Sequence, residues 1–168
     1  MPRVTRYEAE LSIFERFNTA YDKEFGSLLV DVEHNDRPDF TATDPNSGKR
    51  LGIEVTGVYQ DKDEARIQYW DVENWVRFEG SLDDLVSSMN KVLSDKAEKS
   101  WEYDFDGKLI LSIWLGSLVF TEKMDIDYIR NEINIPHNAF SDIWLIIRNR
   151  TDFSPELYPL QIGGFSGR

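Results

Sequence analysis

The sequence predicts an α/β domain in which helices flank a mixed central β-sheet. Three observations carry that prediction. Residues 5–25 and 81–100 each show the apolar spacing of an amphipathic helix. Residues 27–56 hold three short runs with strand character, the last two joined by strong turn chemistry. Residues 108–115 and 141–147 are apolar runs of buried-strand length, with a short helical segment between them. Such an order of elements packs helices onto a sheet.

Each element has its own reason. At about 100° per residue, Tyr7, Leu11, Phe14, Phe17, Tyr21 and Phe25 share one helical face, and Gly26 is the stop. Residues 27–33 are rich in Leu and Val, and residues 38–43 open on a Pro, as an edge strand or a strand start can. Asp44-Pro45-Asn46-Ser47-Gly48 is a turn, so residues 38–43 and 50–56 form a hairpin with Leu51, Ile53 and Val55 on one face.

Residues 57–80 are acidic and aromatic with no clean period, and they read as an insertion or lid. Ser81 caps the next helix, with Asp83 and Asp84 in its first turn. The apolar face of that helix is Leu82, Leu85, Val86, Met89, Val92 and Leu93. Residues 124–133 form a short helix and residues 157–162 a last edge strand, and the tail 163–168 frays. The crossover through the 81–100 helix is expected to be right-handed.

The chain's 168 residues fit one domain with an insertion or lid at about 57–80. Cysteine is absent, which excludes a disulfide scaffold, a thiolate zinc site and a cysteine nucleophile. The N-terminal residues lack the apolar core of a signal peptide. The longest apolar run, residues 109–120, falls short of the roughly 20 residues that a membrane helix needs. The expectation is a cytoplasmic protein with no membrane contact. The formal net charge of −12 works against non-specific binding of nucleic acid, which Lys and Arg contacts to phosphate supply. Binding of nucleic acid then needs a local basic patch or bound metal. A basic partner protein is the other class that suits this charge.

The chemistry concentrates in Arg37-Pro38-Asp39-Phe40 and Gly52-Ile53-Glu54-Val55-Thr56. Alternation places Glu54 and Thr56 together, away from Leu51, Ile53 and Val55. An in-register hairpin brings Asp39 and Glu54 to one end of the sheet. Two adjacent carboxylates mark a hard-cation site or a shared proton. Magnesium takes few protein carboxylates and keeps several waters, so Asp39, Glu54 and the Val55 carbonyl suffice as ligands. A bound Mg²⁺ suits phosphodiester hydrolysis.

Pro-Asp, a hairpin and then Ile-Glu-Val-Thr resembles the PD-(D/E)XK motif of restriction-endonuclease-like nucleases. The resemblance covers residues 5–115 as an order of elements, an αβββαβ core. It implies that Asp39 and Glu54 bind Mg²⁺ or Mn²⁺. It also implies a lysine two residues after the second acid, where this chain has Thr56, which carries no positive charge. Some members take that lysine from the following helix. Here Lys96 falls on the apolar stripe between Met89, Val92 and Leu93, whereas Lys91 faces solvent. Two readings of Lys96 stand: a partner for the acid site, or a snorkelling residue in the last turns of a helix.

The family often adds an acid from its first helix, which implies Glu10 as a further metal ligand, with Glu24 a weaker choice. The plainer reading of Glu10 is a rim residue of a wide apolar face. Gln60 could touch substrate or be an exposed loop amide. His34 and His137 read as isolated surface residues. Trp70 and Trp75 could stack a base, though packing is their simpler role. No Ser-His-Asp order, phosphate loop or dinucleotide fingerprint is present. Two functions follow: a Mg²⁺-dependent nuclease acting on nucleic acid through Asp39, Glu54, Lys96 and Thr56, or an inactive immunity- or antitoxin-like module on the same fold for a basic protein. A chance resemblance is the third reading.

Overall fold

A computed structural model describes residues 5–60, 76–78, 80–117 and 120–164. Helix α1 spans Arg6–Phe25. It starts at a capping box, with the Thr5 hydroxyl accepting from the Glu8 N–H and the Glu8 side chain reaching back to the Thr5 N–H. It stops at Gly26, whose φ of 64° is left-handed and whose N–H donates to the Asp22 carbonyl. Strands β1 (Val30–His34), β2 (Phe40–Asp44) and β3 (Lys49–Gln60) follow as an antiparallel meander. The β2–β3 turn is held by Asp44, which accepts the Asn46 N–H, and by Gly48 at φ 71°.

Strand β4 (Val76–Phe78) runs parallel to the end of β3. Helix α2 (Leu82–Ser100) begins at Ser81, whose hydroxyl accepts from the Asp84 N–H. Strand β5 (Lys108–Gly116) lies parallel to β3, helix α3 (Lys123–Glu132) crosses over, and β6 (Asp142–Arg148) lies parallel to β5. Strand β7 (Pro155–Ile162) closes the edge antiparallel to β6. The main path of the sheet is β1-β2-β3-β5-β6-β7, with β4 beside β3.

The sheet separates two apolar layers. Phe14, Phe17, Phe40, Ile53, Val55, Ile110 and Trp114 pack under α1. Leu85, Met89, Leu93, Leu111, Ile113 and Leu145 pack under α2 and α3. Burying each such side chain contributes about 1.5–3 kcal/mol. The two layers set the direction of every β3 side chain. Ile53 and Val55 point to α1, so Glu54 and Thr56 point to α2.

Several expectations need correction. Tyr7 and Phe25 lie at the ends of the expected α1 face and are 46% exposed; the buried face also takes in Ala9, Glu10, Ile13 and Ala20. The expected insertion begins later than residue 57, because β3 continues to Gln60 and residues 76–78 form β4. Tyr59, read as part of the lid, is fully buried. Its ring fills the space over Gly57 and Gly116, where an added Cβ would come within 2.5 and 2.3 Å of it. Trp70, Trp75 and residues 165–168 of the tail lie outside the described residues. Among the described residues, no helix is long and apolar enough to cross a membrane.

Candidate active site

One edge of β3 pairs with β5 from Leu51 to Tyr59. On the other edge, β2 pairing ends at Phe40–Ile53 and β4 pairing begins at Val58–Val76. Residues 54–57 therefore lie in a notch between two strand partners. Asp39, just ahead of β2, fills it. Its Oδ2 accepts the Val55 N–H at 3.0 Å, and its own N–H donates to Glu54 Oε1 at 3.1 Å. The N–H and C=O of one strand residue project to the same edge, so the Val55 carbonyl also faces the notch. The Glu54 carbonyl faces β5, where the Ser112 hydroxyl reaches it at 3.5 Å.

Pro38 sets this geometry from below. Its ring packs over Gly52, where an added Cβ would meet both Pro38 and Phe105 at 2.9 Å. Glycine at 52 lets the Pro38–Asp39 segment lie close against β3.

Glu54 carries a further load on Oε2. Lys96 from α2 donates to it at 2.8 Å, and the Tyr103 hydroxyl donates to the same oxygen. Asp39 and Glu54 are each only 5% exposed. Burial and the Glu54 charge push the Asp39 pKa up, with Glu10 adding to the effect. Burial also opposes ionisation of Glu54, but Lys96 and the hydrogen bonds from Asp39 and Tyr103 outweigh it and lower its pKa. Burial disfavours the Lys96 charge, yet Glu54 raises its pKa overall. Burial and Glu54 hold the Tyr103 phenol above its usual range, so it stays a donor. The centre thus favours an ionised Glu54 and a charged Lys96, with Asp39 biased toward its protonated form.

The structure brings Asp39, Glu54, Val55 and Lys96 together at the notch. Thr56 is buried one alternation beyond Glu54, on the same face. Glu10 is buried but stands aside. Its Oε1 accepts from Arg6 Nε at 2.7 Å, and its Oε2 meets His34 Nε2 at 3.2 Å. Glu10 acts on Asp39 through its charge. His34 is correspondingly not isolated: it also packs on Tyr7 and Phe40. His137 is exposed, beside Trp101. Glu24 lines a groove with Lys108 and Asp142, away from the notch. Gln60 ends β3, and its side chain lies outside the described residues.

Sequence reasoning missed Tyr103. The signal was available: Trp101, Tyr103 and Phe105 alternate through an acidic loop between a helix end and a buried strand. Such a spacing lays aromatics against the adjoining sheet.

The donor set fits a hard divalent cation. Two carboxylates and a strand carbonyl are oxygen donors, and Mg²⁺ completes its shell with water. Among the described residues, no group of three or more His, Asp or Glu is arranged around one point, so any ion here would rest on the two acids. No family of known proteins, no curated protein and no solved structure matches the chain.

Proposed function

We propose that the protein is a metal-dependent nuclease of the restriction-endonuclease-like kind, acting in the cytoplasm and hydrolysing phosphodiester bonds in nucleic acid with Mg²⁺ or Mn²⁺ at Asp39 and Glu54. One observation carries the reading. Lys96, on the buried stripe of α2, reaches Glu54 at 2.8 Å and supplies the cation that Thr56 does not. The order α1-β1-β2-β3-β4-α2-β5, with β3 and β5 parallel, supports an αβββαβ core to which the three-residue β4 is added. Arg6 and Arg37 carry exposed side chains on the segments beside Asp39, each ion-paired with an acid, Glu10 and Glu102.

Asp39, Glu54 and the Val55 carbonyl would hold the ion. A bound Mg²⁺ supplies a water of lowered pKa and neutralises charge on the scissile phosphate. Lys96 keeps its proton, so it acts as a donor and not as a base. Its ammonium has three N–H bonds and spends one on Glu54. The others can orient the attacking water and a phosphate oxygen. Thr56 lies on the same face and carries no charge for this task.

The test is cleavage of single- and double-stranded DNA and RNA with Mg²⁺ or Mn²⁺. The reading expects cleavage that disappears in the Asp39→Asn/Glu54→Gln double variant. Cleavage that survives those changes removes the site assignment. A second reading keeps the fold without catalysis, as a module for a basic partner protein. Its support is the net charge of −12 and the complete hydrogen bonding of Glu54 by the protein's own donors. It expects no cleavage under any metal condition.

A further inference from the structure

We propose that Tyr103 is a positioning residue of this centre: with Lys96, its hydroxyl fixes Oε2 of Glu54 so that Oε1 stays turned toward Asp39. The inference rests on the reading of the acid pair as a cation site.

The two oxygens of Glu54 have separate duties. Oε1 accepts from the Asp39 N–H, and Oε2 accepts from Lys96 and Tyr103. The last torsion of a glutamate is broad and nearly two-fold. A single bond from Lys96, on its flexible four-carbon stem, leaves the carboxylate plane free to turn. A second donor from a different element removes that freedom. Tyr103 suits the task because its ring has only two torsions and is itself held. The ring lies edge-on to Phe140, with centroids 6.3 Å apart.

The segment carrying Tyr103 is also tied down on both sides. Glu102 pairs with Arg37 at 3.5 Å, and Phe105 covers Gly52 beside Pro38. Both contacts fall on the stretch that delivers Asp39 and Glu54. Residues that hydrogen-bond a ligating carboxylate tune metal affinity without touching the metal, by roughly 10–100-fold.

The test is calorimetric titration of Mn²⁺ into the full chain as wild type, Tyr103→Phe and Phe105→Leu. Phe105→Leu loosens the same segment and leaves the hydroxyl in place. The proposal expects Tyr103→Phe to bind Mn²⁺ roughly 10–100-fold more weakly, with a clearly smaller loss in Phe105→Leu. It is overturned if Tyr103→Phe binds as tightly as wild type, or if Phe105→Leu loses as much. A wild type that binds no Mn²⁺ removes the acid-pair reading itself, a different failure. A measurement on the wild type covers the case of a variant that does not fold. With ¹³C-labelled tyrosine, the Tyr103 Cζ resonance keeps its hydrogen-bonded shift when Mg²⁺ is added. Loss of that shift marks the hydroxyl as a competitor displaced by metal and overturns the proposal.

Discussion

Lys96 Nζ lies 2.8 Å from Glu54 Oε2, and the two side chains are only 15% and 6% exposed. A buried pair of this kind is weak evidence for stability, because desolvation of both ions offsets their attraction. Breaking it from one side is costly, since the partner is left charged and buried.

Lys96→Met therefore destabilises the protein by about 3–5 kcal/mol at pH 8. The sign reverses with acid. In the wild type the lowered Glu54 pKa contributes stability above its unfolded value, and that stability is lost as pH falls through the folded pKa. In the variant the lowering by Lys96 is gone and only the hydrogen bonds from Asp39 and Tyr103 oppose burial, so the Glu54 pKa rises relative to wild type. Its deficit then shrinks as pH falls from 8 toward 4. Urea unfolding of both proteins across that range checks this. A deficit that grows with acid contradicts it.

Asp39→Asn has the opposite effect on stability. The Asp39 pKa is raised in the folded state, so its contribution is fully present below the unfolded pKa and lost as pH rises toward the folded one. Asparagine mimics the protonated acid: its oxygen accepts the Val55 N–H and its amide donates to Glu54. The variant should be more stable than wild type at pH 8, with a higher melting temperature. The gain should vanish near pH 3, and Mn²⁺ binding should be lost. Thermal melts at the two pH values read this directly.

Gly52→Ala places a methyl group 2.9 Å from both Phe105 and Pro38. Overpacking of this size costs roughly 1–3 kcal/mol. The displaced segments hold Asp39 and Tyr103, so Mn²⁺ affinity should fall as well. Urea unfolding and Mn²⁺ titration of the variant measure both effects. A variant as stable and as avid as wild type shows that the strap has room there.

Much of this was legible in the sequence, for identifiable reasons. The capping residues Thr5 and Ser81, the turn at 44–48 and the apolar stripe of α2 are local signals, and local signals survive folding. The convergence of Asp39 and Glu54 was legible because a hairpin fixes register between neighbouring strands. Lys96 could be placed on a stripe, with pairing to the acid site one of two readings, since its partner sits 42 positions away in sequence.

The extent of β3 was hidden because Gly57 puts no side chain on the apolar face and Val58 is apolar on the polar one, before Tyr59 returns to the face of Leu51, Ile53 and Val55. Only the sheet shows why: the Tyr59 ring lies over two glycines, one of them, Gly116, on the neighbouring strand. Helical phase left Glu10 between a rim residue and the metal ligand that the resemblance implies, because it reports which face a residue occupies, not what already bonds to it. Arg6 is one turn away on the same helix, but His34 arrives from β1, which helical phase does not reach.

The central claim is that the notch at Asp39 and Glu54 takes a divalent cation. The most direct measurement is calorimetric titration of Mg²⁺ and Mn²⁺ into wild type and Glu54→Gln, an exchange that keeps the side chain's size and an oxygen for Lys96. The account predicts wild-type binding in the millimolar range or tighter, lost in the variant. Binding that is absent from the wild type, or equal in both proteins, contradicts it.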